Sequence, residues 1–132
     1  MERPRMRFRG PVLDADDGLA LAEFYEKFLG WTIAERAGTS EYGWAKLEAP
    51  DGLLKMEFQG DQKAYVRPVW PTVPDEQQMM IHLDFMVEDL EAAVAWAIEC
   101  GATVAGHQPR PTVHVVMLDP EGHPFCLCRG RV

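Results

Sequence analysis

The chain has 132 residues, with 13 lysines and arginines against 21 aspartates and glutamates, so its formal net charge is −8. That balance argues against partnership with nucleic acid or an anionic membrane, because both demand a clustered cationic footprint. With 47% hydrophobic and 26% charged residues the composition is globular and not that of a disordered segment, and the length suits one domain or two small half-domains sharing a core.

In chain order, Arg3, Arg5, Arg7 and Arg9 alternate with Met6 and Phe8 and read as the solvated side of a strand over Phe8 to Ala15. From Asp17 to Gly30 an acidic opening, apolar residues at helical spacing and a closing glycine predict an amphipathic helix. Strands follow over Trp31 to Arg36, Tyr42 to Leu47 and Leu53 to Gln59, the last two joined through the turn Pro50-Asp51-Gly52. Residues 60–78 carry Pro68, Pro71 and Pro74 with Tyr65 and Trp70, too proline-rich for regular structure and too aromatic for an idle linker. This stretch is expected to be a crossover that packs over something. A strand over Met80 to Val87, a helix between Asp89 and Gly101, and strands over Thr103 to His107, Val113 to Leu118 and Phe125 to Arg129 complete the chain.

The second series repeats the first. Setting Leu19 on Leu90 brings Gly30 onto Gly101 at an offset of 71, and the turn Pro120-Glu121-Gly122 matches Pro50-Asp51-Gly52 at an offset of 70. The order β-α-β-β-β therefore occurs twice in a single α+β domain spanning 1–132, in modules over about 6–59 and 79–130 joined by the crossover 60–78.

No window approaches the roughly 18 consecutive apolar residues of a membrane span, and the N-terminus lacks the apolar stretch of a signal peptide. Three cysteines make no disulfide framework, and Cys126-Leu127-Cys128 lacks the two-residue spacer of a zinc or redox knuckle. A cytoplasmic location follows as the expectation.

The segment Ile81-His82-Leu83-Asp84-Phe85 and the ending Asp119-Pro120-Glu121-Gly122-His123-Pro124-Phe125, set in two βαβββ units, resemble the vicinal oxygen chelate superfamily. That group includes glyoxalase I, extradiol dioxygenases, fosfomycin-resistance enzymes and bleomycin-resistance binding proteins. Phe24-Tyr25, Leu29-Gly30-Trp31, Val69-Trp70-Pro71 and Gly122-His123-Pro124-Phe125-Cys126 are similar to its glyoxalase-like members. The resemblance implies half-barrels that together enclose a cup, helices outside, and a homodimer that sometimes closes each cup with the neighbouring chain.

Alternation then decides which residues would enter the cup. Ile81, Leu83, Phe85 and Val87 suit the helix side, leaving His82, Asp84 and Met86 inward; Phe125 and Leu127 likewise leave Cys126 and Cys128 inward. Leu54, Met56 and Phe58 suit the helix side and aim Lys55 and Glu57 inward, since burying both charges under a helix would cost several kilocalories per mole. A register copied from the second unit's turn would instead turn Met56 inward.

Metal-using members of the superfamily hold their ion from the first and last strands of each unit, which maps here to Pro11, Glu57, His82 and Cys126. Proline has no donor, and a cysteine shifts preference toward softer ions such as zinc. A catalytic Lewis-acid centre needs about three protein ligands, so no metal cofactor is expected; a divalent ion on Glu57 and His82 is the alternative. His114, matched to Trp44 at offset 70, is a candidate acid or base, or a wall residue. His123 is assigned to the turn and His107 to solvent. A lone Ser40 without a nucleophile elbow, no Gly-x-Gly-x-x-Gly, and a Cys126 that reads as an inert thiol give no nucleophile or phosphate loop.

Tyr42, Trp44, Tyr65, Trp70 and Met86 are candidate walls, whereas Trp31 and Trp96 read as packing. Trp44 and Trp70 with acidic neighbours suit a flat organic ligand, neutral or cationic, much as the bleomycin-resistance branch of the superfamily sequesters its drug. The resulting expectation is a site of Trp44, Glu57, Trp70, His82, Asp84, His114 and Cys126 that takes a hydrophobic or aromatic small molecule without a metal, for sequestration or side-chain chemistry. A metal-dependent lyase, isomerase or dioxygenase using His82 and Glu57 is the alternative.

Overall fold

The computed structural model describes residues 1–132. Its first module comprises β1 (Val12–Ala15), α1 (Gly18–Leu29), β2 (Thr32–Gly38), β3 (Gly43–Glu48) and β4 (Lys55–Gly60). The second comprises β5 (Leu83–Val87), α2 (Leu90–Cys100), β6 (Thr103–Val104), β7 (His114–Leu118) and β8 (Pro124–Arg129). The sheets have equivalent orders, β1-β4-β3-β2 and β5-β8-β7-β6. In each, the module's first strand pairs parallel with its last and the remaining pairs are antiparallel. The α+β class and the doubled βαβββ order are as the sequence predicts. No ladder joins the sheets, so they remain two open four-stranded sheets and do not close into a barrel.

Both helices begin where an aspartate caps free amides: Asp17 accepts from the Ala20 amide at 3.0 Å and Asp89 from that of Ala92 at 2.9 Å. Both end on a glycine with positive φ, Gly30 at 69° and Gly101 at 119°. The first helix has 12 residues and the second 11, so the repeat offset slips from 72 at the N-caps to 71 at the C-caps. Strand register follows the N-caps: Val12 lies opposite Glu57 as Asp84 lies opposite Cys126. The residue equivalent to His82 is therefore Gly10 and not Pro11, which corrects the mapping taken from the helix ends.

Helix-facing side chains of both sheets meet around α1 in one core of 16 buried residues. Tyr25 stacks on Phe58 at 5.6 Å and meets Phe125 edge-on at 6.4 Å, and Phe28 meets Phe85 edge-on at 5.3 Å. Each fully buried aromatic or aliphatic side chain contributes roughly 1.5–3 kcal/mol, so α1 ties the modules together. No helix is long and apolar enough to cross a membrane.

Four local expectations are corrected. The alternation from Arg3 to Arg9 is not a strand: ladder pairing starts at Val12, the chain turns through Gly10 at φ 131°, and Met6 and Phe8 stay exposed. At the second module's entrance β5 starts only at Leu83, leaving Ile81 exposed instead of under α2. β6 is two residues long, because its partner β7 pairs only with Thr103 and Val104 before the chain leaves toward Pro109 and Pro111. Trp96 is exposed, its indole donating to the Phe28 carbonyl at 3.0 Å with the Lys27 ammonium 5.8 Å from the ring. Trp31 packs against the core as expected.

Candidate functional site

On the face of the first sheet turned away from the core, Glu57 follows from the alternation of β4, whose Met56 and Phe58 are buried in the core. Glu57 is only 6% exposed. Its Oε1 accepts from the Trp44 indole N–H at 2.9 Å and from the Arg9 guanidinium at 2.9 Å. A buried carboxylate needs such partners. Here the chain supplies its own counter-cation from the N-terminal arm, from an arginine side chain that is 65% exposed.

The corresponding face of the second sheet carries Asp84, Met86, His114, Cys126 and Cys128. His82 Nε2 lies 3.4 Å from Asp84 Oδ1, and donor atoms of His82, Asp84 and Cys126 all lie within 4.8 Å of one another. Burial pushes the Cys126 thiol up to about 11, with the Asp84 carboxylate and then Cys128 adding to the rise. Burial, then Asp84, raises Cys128 as well. Both thiols are therefore protonated near neutrality and weak nucleophiles. The nitrogen, oxygen and sulfur donors of the trio fit a soft divalent ion such as zinc in number and type; binding would require Cys126 to release its proton.

The seven expected site residues thus fall into separate groups. Trp44 and Glu57 touch one another. His82, Asp84 and Cys126 cluster on the other sheet, where His114 pairs with Cys128 as Trp44 pairs with Gln59, confirming their equivalent registers. Glu57 is not in that cluster. Trp70 is elsewhere: its indole donates to the His107 carbonyl at 3.1 Å, with the rings 5.8 Å apart, and pins the crossover to the loop after β6. His107 is exposed as expected; the His123 amide donates to Asp119 Oδ1 within its turn, but its imidazole leaves the turn and reaches the Asp14 carbonyl.

A cleft of about 490 Å³ opens between the free edge of β1 and the crossover. Val12, Asp14 and Gln59 form its sheet side; Tyr65 lines it from the crossover, and Met80 and Ile81 from the segment that leads into β5. Val12 and Asp14 sit opposite Glu57 and Gln59 in the ladder, so the cleft occupies the edge of the Trp44–Glu57 face. Nine of its 16 lining residues are hydrophobic. The Tyr65 hydroxyl donates to the Glu121 carbonyl at 2.7 Å, and burial, reinforced by the Asp119 and Glu121 charges, holds its pKa above the ordinary phenol value. His123 Nε2 lies 2.6 Å from the Asp14 carbonyl, which only accepts, so that nitrogen carries the proton.

Tyr65, expected as a wall of the cup, lines this cleft at the edge of β1. Arg9 was not legible, because its guanidinium reaches Glu57 from outside any periodic element. Asp14 was within reach of the alternation, two positions beyond Val12 on the same face, and Asp61 carried no signal.

Residues 11–128 match the family model of the glyoxalase-like domain. The chain belongs to that family. This glyoxalase-like domain lies within the vicinal oxygen chelate superfamily that its motifs resemble. Its fold is similar to that of a glyoxalase family protein from Enterococcus faecalis, with a TM-score of 0.67 at 21% identity over 93% of this chain and 97% of that one. A fosfomycin resistance protein from Mesorhizobium loti aligns with a TM-score of 0.64 at 12% identity over 98% and 95% of the two chains. The trypanothione-dependent glyoxalase I of Leishmania major gives 0.60 at 18% identity over 94% and 87%. No curated protein matches at the sequence level.

Proposed function

We propose that this glyoxalase-like domain binds an apolar or aromatic small molecule in the cleft between β1 and the crossover, without a metal. The carrying observation is the cleft itself, whose volume of about 490 Å³ suits a small organic molecule. The Arg9–Glu57 pair supports the metal-free part, since it neutralises the carboxylate at a position where metal-using relatives place a ligand. Sequestration, the reading that the resemblance to bleomycin-resistance binding proteins favours, needs no more than this. A second copy of the chain would cover the apolar side chains left open on the two sheet faces, Val12 and Met86, each 53% exposed.

A second reading, a metal-dependent lyase, isomerase or dioxygenase, is favoured by the trio His82, Asp84 and Cys126. It would run through Asp84 in place of Glu57. Tag-free protein is analysed for zinc, nickel, manganese and iron, and screened with small aromatic compounds by ligand-observed NMR. The first reading expects sub-stoichiometric metal and saturable binding that is lost when Met80→Arg fills the cleft. One metal per chain, absent from His82→Ala, with no compound displaced by Met80→Arg, would overturn it in favour of the second.

A further inference from the structure

The charges around the cleft are one-sided. Its lining contains two carboxylates, Asp14 and Asp61, no lysine or arginine, and one histidine, His123, whose Nε2 is engaged by the Asp14 carbonyl at 2.6 Å. The Asp14 carboxylate takes part in none of the ion pairs of the structure. Asp61 uses Oδ1 to accept from the Lys63 and Ala64 amides at 3.1 and 3.2 Å, which leaves Oδ2. The nearby arginine on the crossover, Arg67, is directed elsewhere and donates to the Pro120 carbonyl at 2.8 Å. Tyr65 also lines the cleft, and its hydroxyl is already committed to the Glu121 carbonyl, so the ring is the part of this side chain left to meet a ligand.

A mainly apolar cleft edged by two carboxylates outside any ion pair and by a phenol ring attracts a positive charge carried on a hydrophobic body: the carboxylates supply Coulomb attraction, the ring a cation–π contact, and the thioether of Met80 a polarisable surface. Neutral apolar ligands would leave the carboxylates unanswered, and an anion would be repelled by them. A net charge of −8 draws cations toward the molecule in the same sense.

We infer that the cleft selects an organic cation, an ammonium group on an apolar or aromatic body, with Asp14 and Asp61 as the charge-recognising residues. The inference rests on the cleft being the ligand site. It names the class of ligand, which the apolar lining alone does not.

Three probes of similar size separate the two claims: benzylamine, benzyl alcohol and benzoate, titrated calorimetrically at neutral pH and low ionic strength. Benzylamine is expected to bind about tenfold tighter than benzyl alcohol, with benzoate weakest. In Asp14→Asn and in Asp61→Asn that preference should shrink toward unity while benzyl alcohol binding is unchanged. Asp16→Asn, which removes one exposed charge outside the cleft lining, should keep the preference. Equal binding of amine and alcohol to the native chain would overturn the charge selection and leave the cleft as an apolar site. Loss of preference in Asp16→Asn as large as in Asp14→Asn would overturn it too, showing a field effect of net charge. Failure of all three probes would remove the cleft reading itself.

Discussion

Asp119 shows how much one buried side chain can organise. It is 1% exposed, accepts from the Tyr25 hydroxyl at 2.8 Å on one oxygen, and accepts from the amides of Glu121 and His123 on the other. Burial raises its pKa above the ordinary 3.8, against the opposing pull of His123 and of the hydrogen bonds. A carboxyl whose folded pKa lies above its unfolded value binds its proton more tightly in the folded state. Its contribution to stability is therefore full below 3.8 and is lost as pH rises through the folded value. Relative to Asp119→Asn, the native chain should gain unfolding free energy as pH falls from about 7 toward about 4, read by urea denaturation across that range; a relative loss would contradict the assignment. For Glu57, the other buried carboxylate, alternation left two registers open, and the cost of burying charge under a helix pointed to the one the structure has, with Met56 and Phe58 in the core. Its partner Arg9 was not legible, because alternation describes strands and the arginine acts from an arm that has none.

Among the elements, what the sequence carried legibly was local chemistry. Both helices start on capping aspartates and stop on glycines because those residues satisfy amides and accept left-handed backbone on their own. Where a turn docks is another matter. Pro50-Asp51-Gly52 and Pro120-Glu121-Gly122 have the same signature, yet Asp51 caps only its own turn, through the Leu53 amide at 2.8 Å. Glu121 reaches the amides of Asp16 and Asp17 at 3.1 and 3.0 Å and clamps the start of α1. The glycines at the two ends of α1, Gly18 inside it and Gly30 capping it, separate the local from the tertiary requirement. Gly30 has φ 69° and open space where a methyl group would stand, so Gly30→Ala should cost only about 1 kcal/mol of backbone strain. At Gly18 a Cβ would stand 2.6 Å from the Gly60 nitrogen and 2.9 Å from the Gly43 carbonyl oxygen, backbone groups that cannot swing aside. Gly18→Ala should push α1 off β3 and β4 and cost about 1–3 kcal/mol, exceeding Gly30→Ala in the same urea titration. The reverse order would mean that α1 is not seated so closely.

At the scale of the molecule, duplication is visible in the sequence but interdependence is not. Offsets of 70 to 72 reveal two modules, and nothing in them says that the core is shared. The shared core arises because α1 presents Phe24, Tyr25 and Phe28 to both sheets, meeting Phe58 on one and Phe85 and Phe125 on the other. Polar ties cross the same seam: Tyr25 to Asp119, Tyr65 to Glu121, His123 to Asp14 and Trp96 to Phe28. A module of about 60 residues is marginally stable even with its own core complete, and here part of that core is supplied by the other half. The full chain should therefore unfold in one cooperative step, with backbone and tyrosine signals superimposing in urea. A fragment of residues 1–61 should give the circular dichroism of an unfolded chain and regain native signal only when mixed with residues 62–132. Two resolved transitions, or a fragment folded by itself, would show that the modules kept the independence their repeat implies.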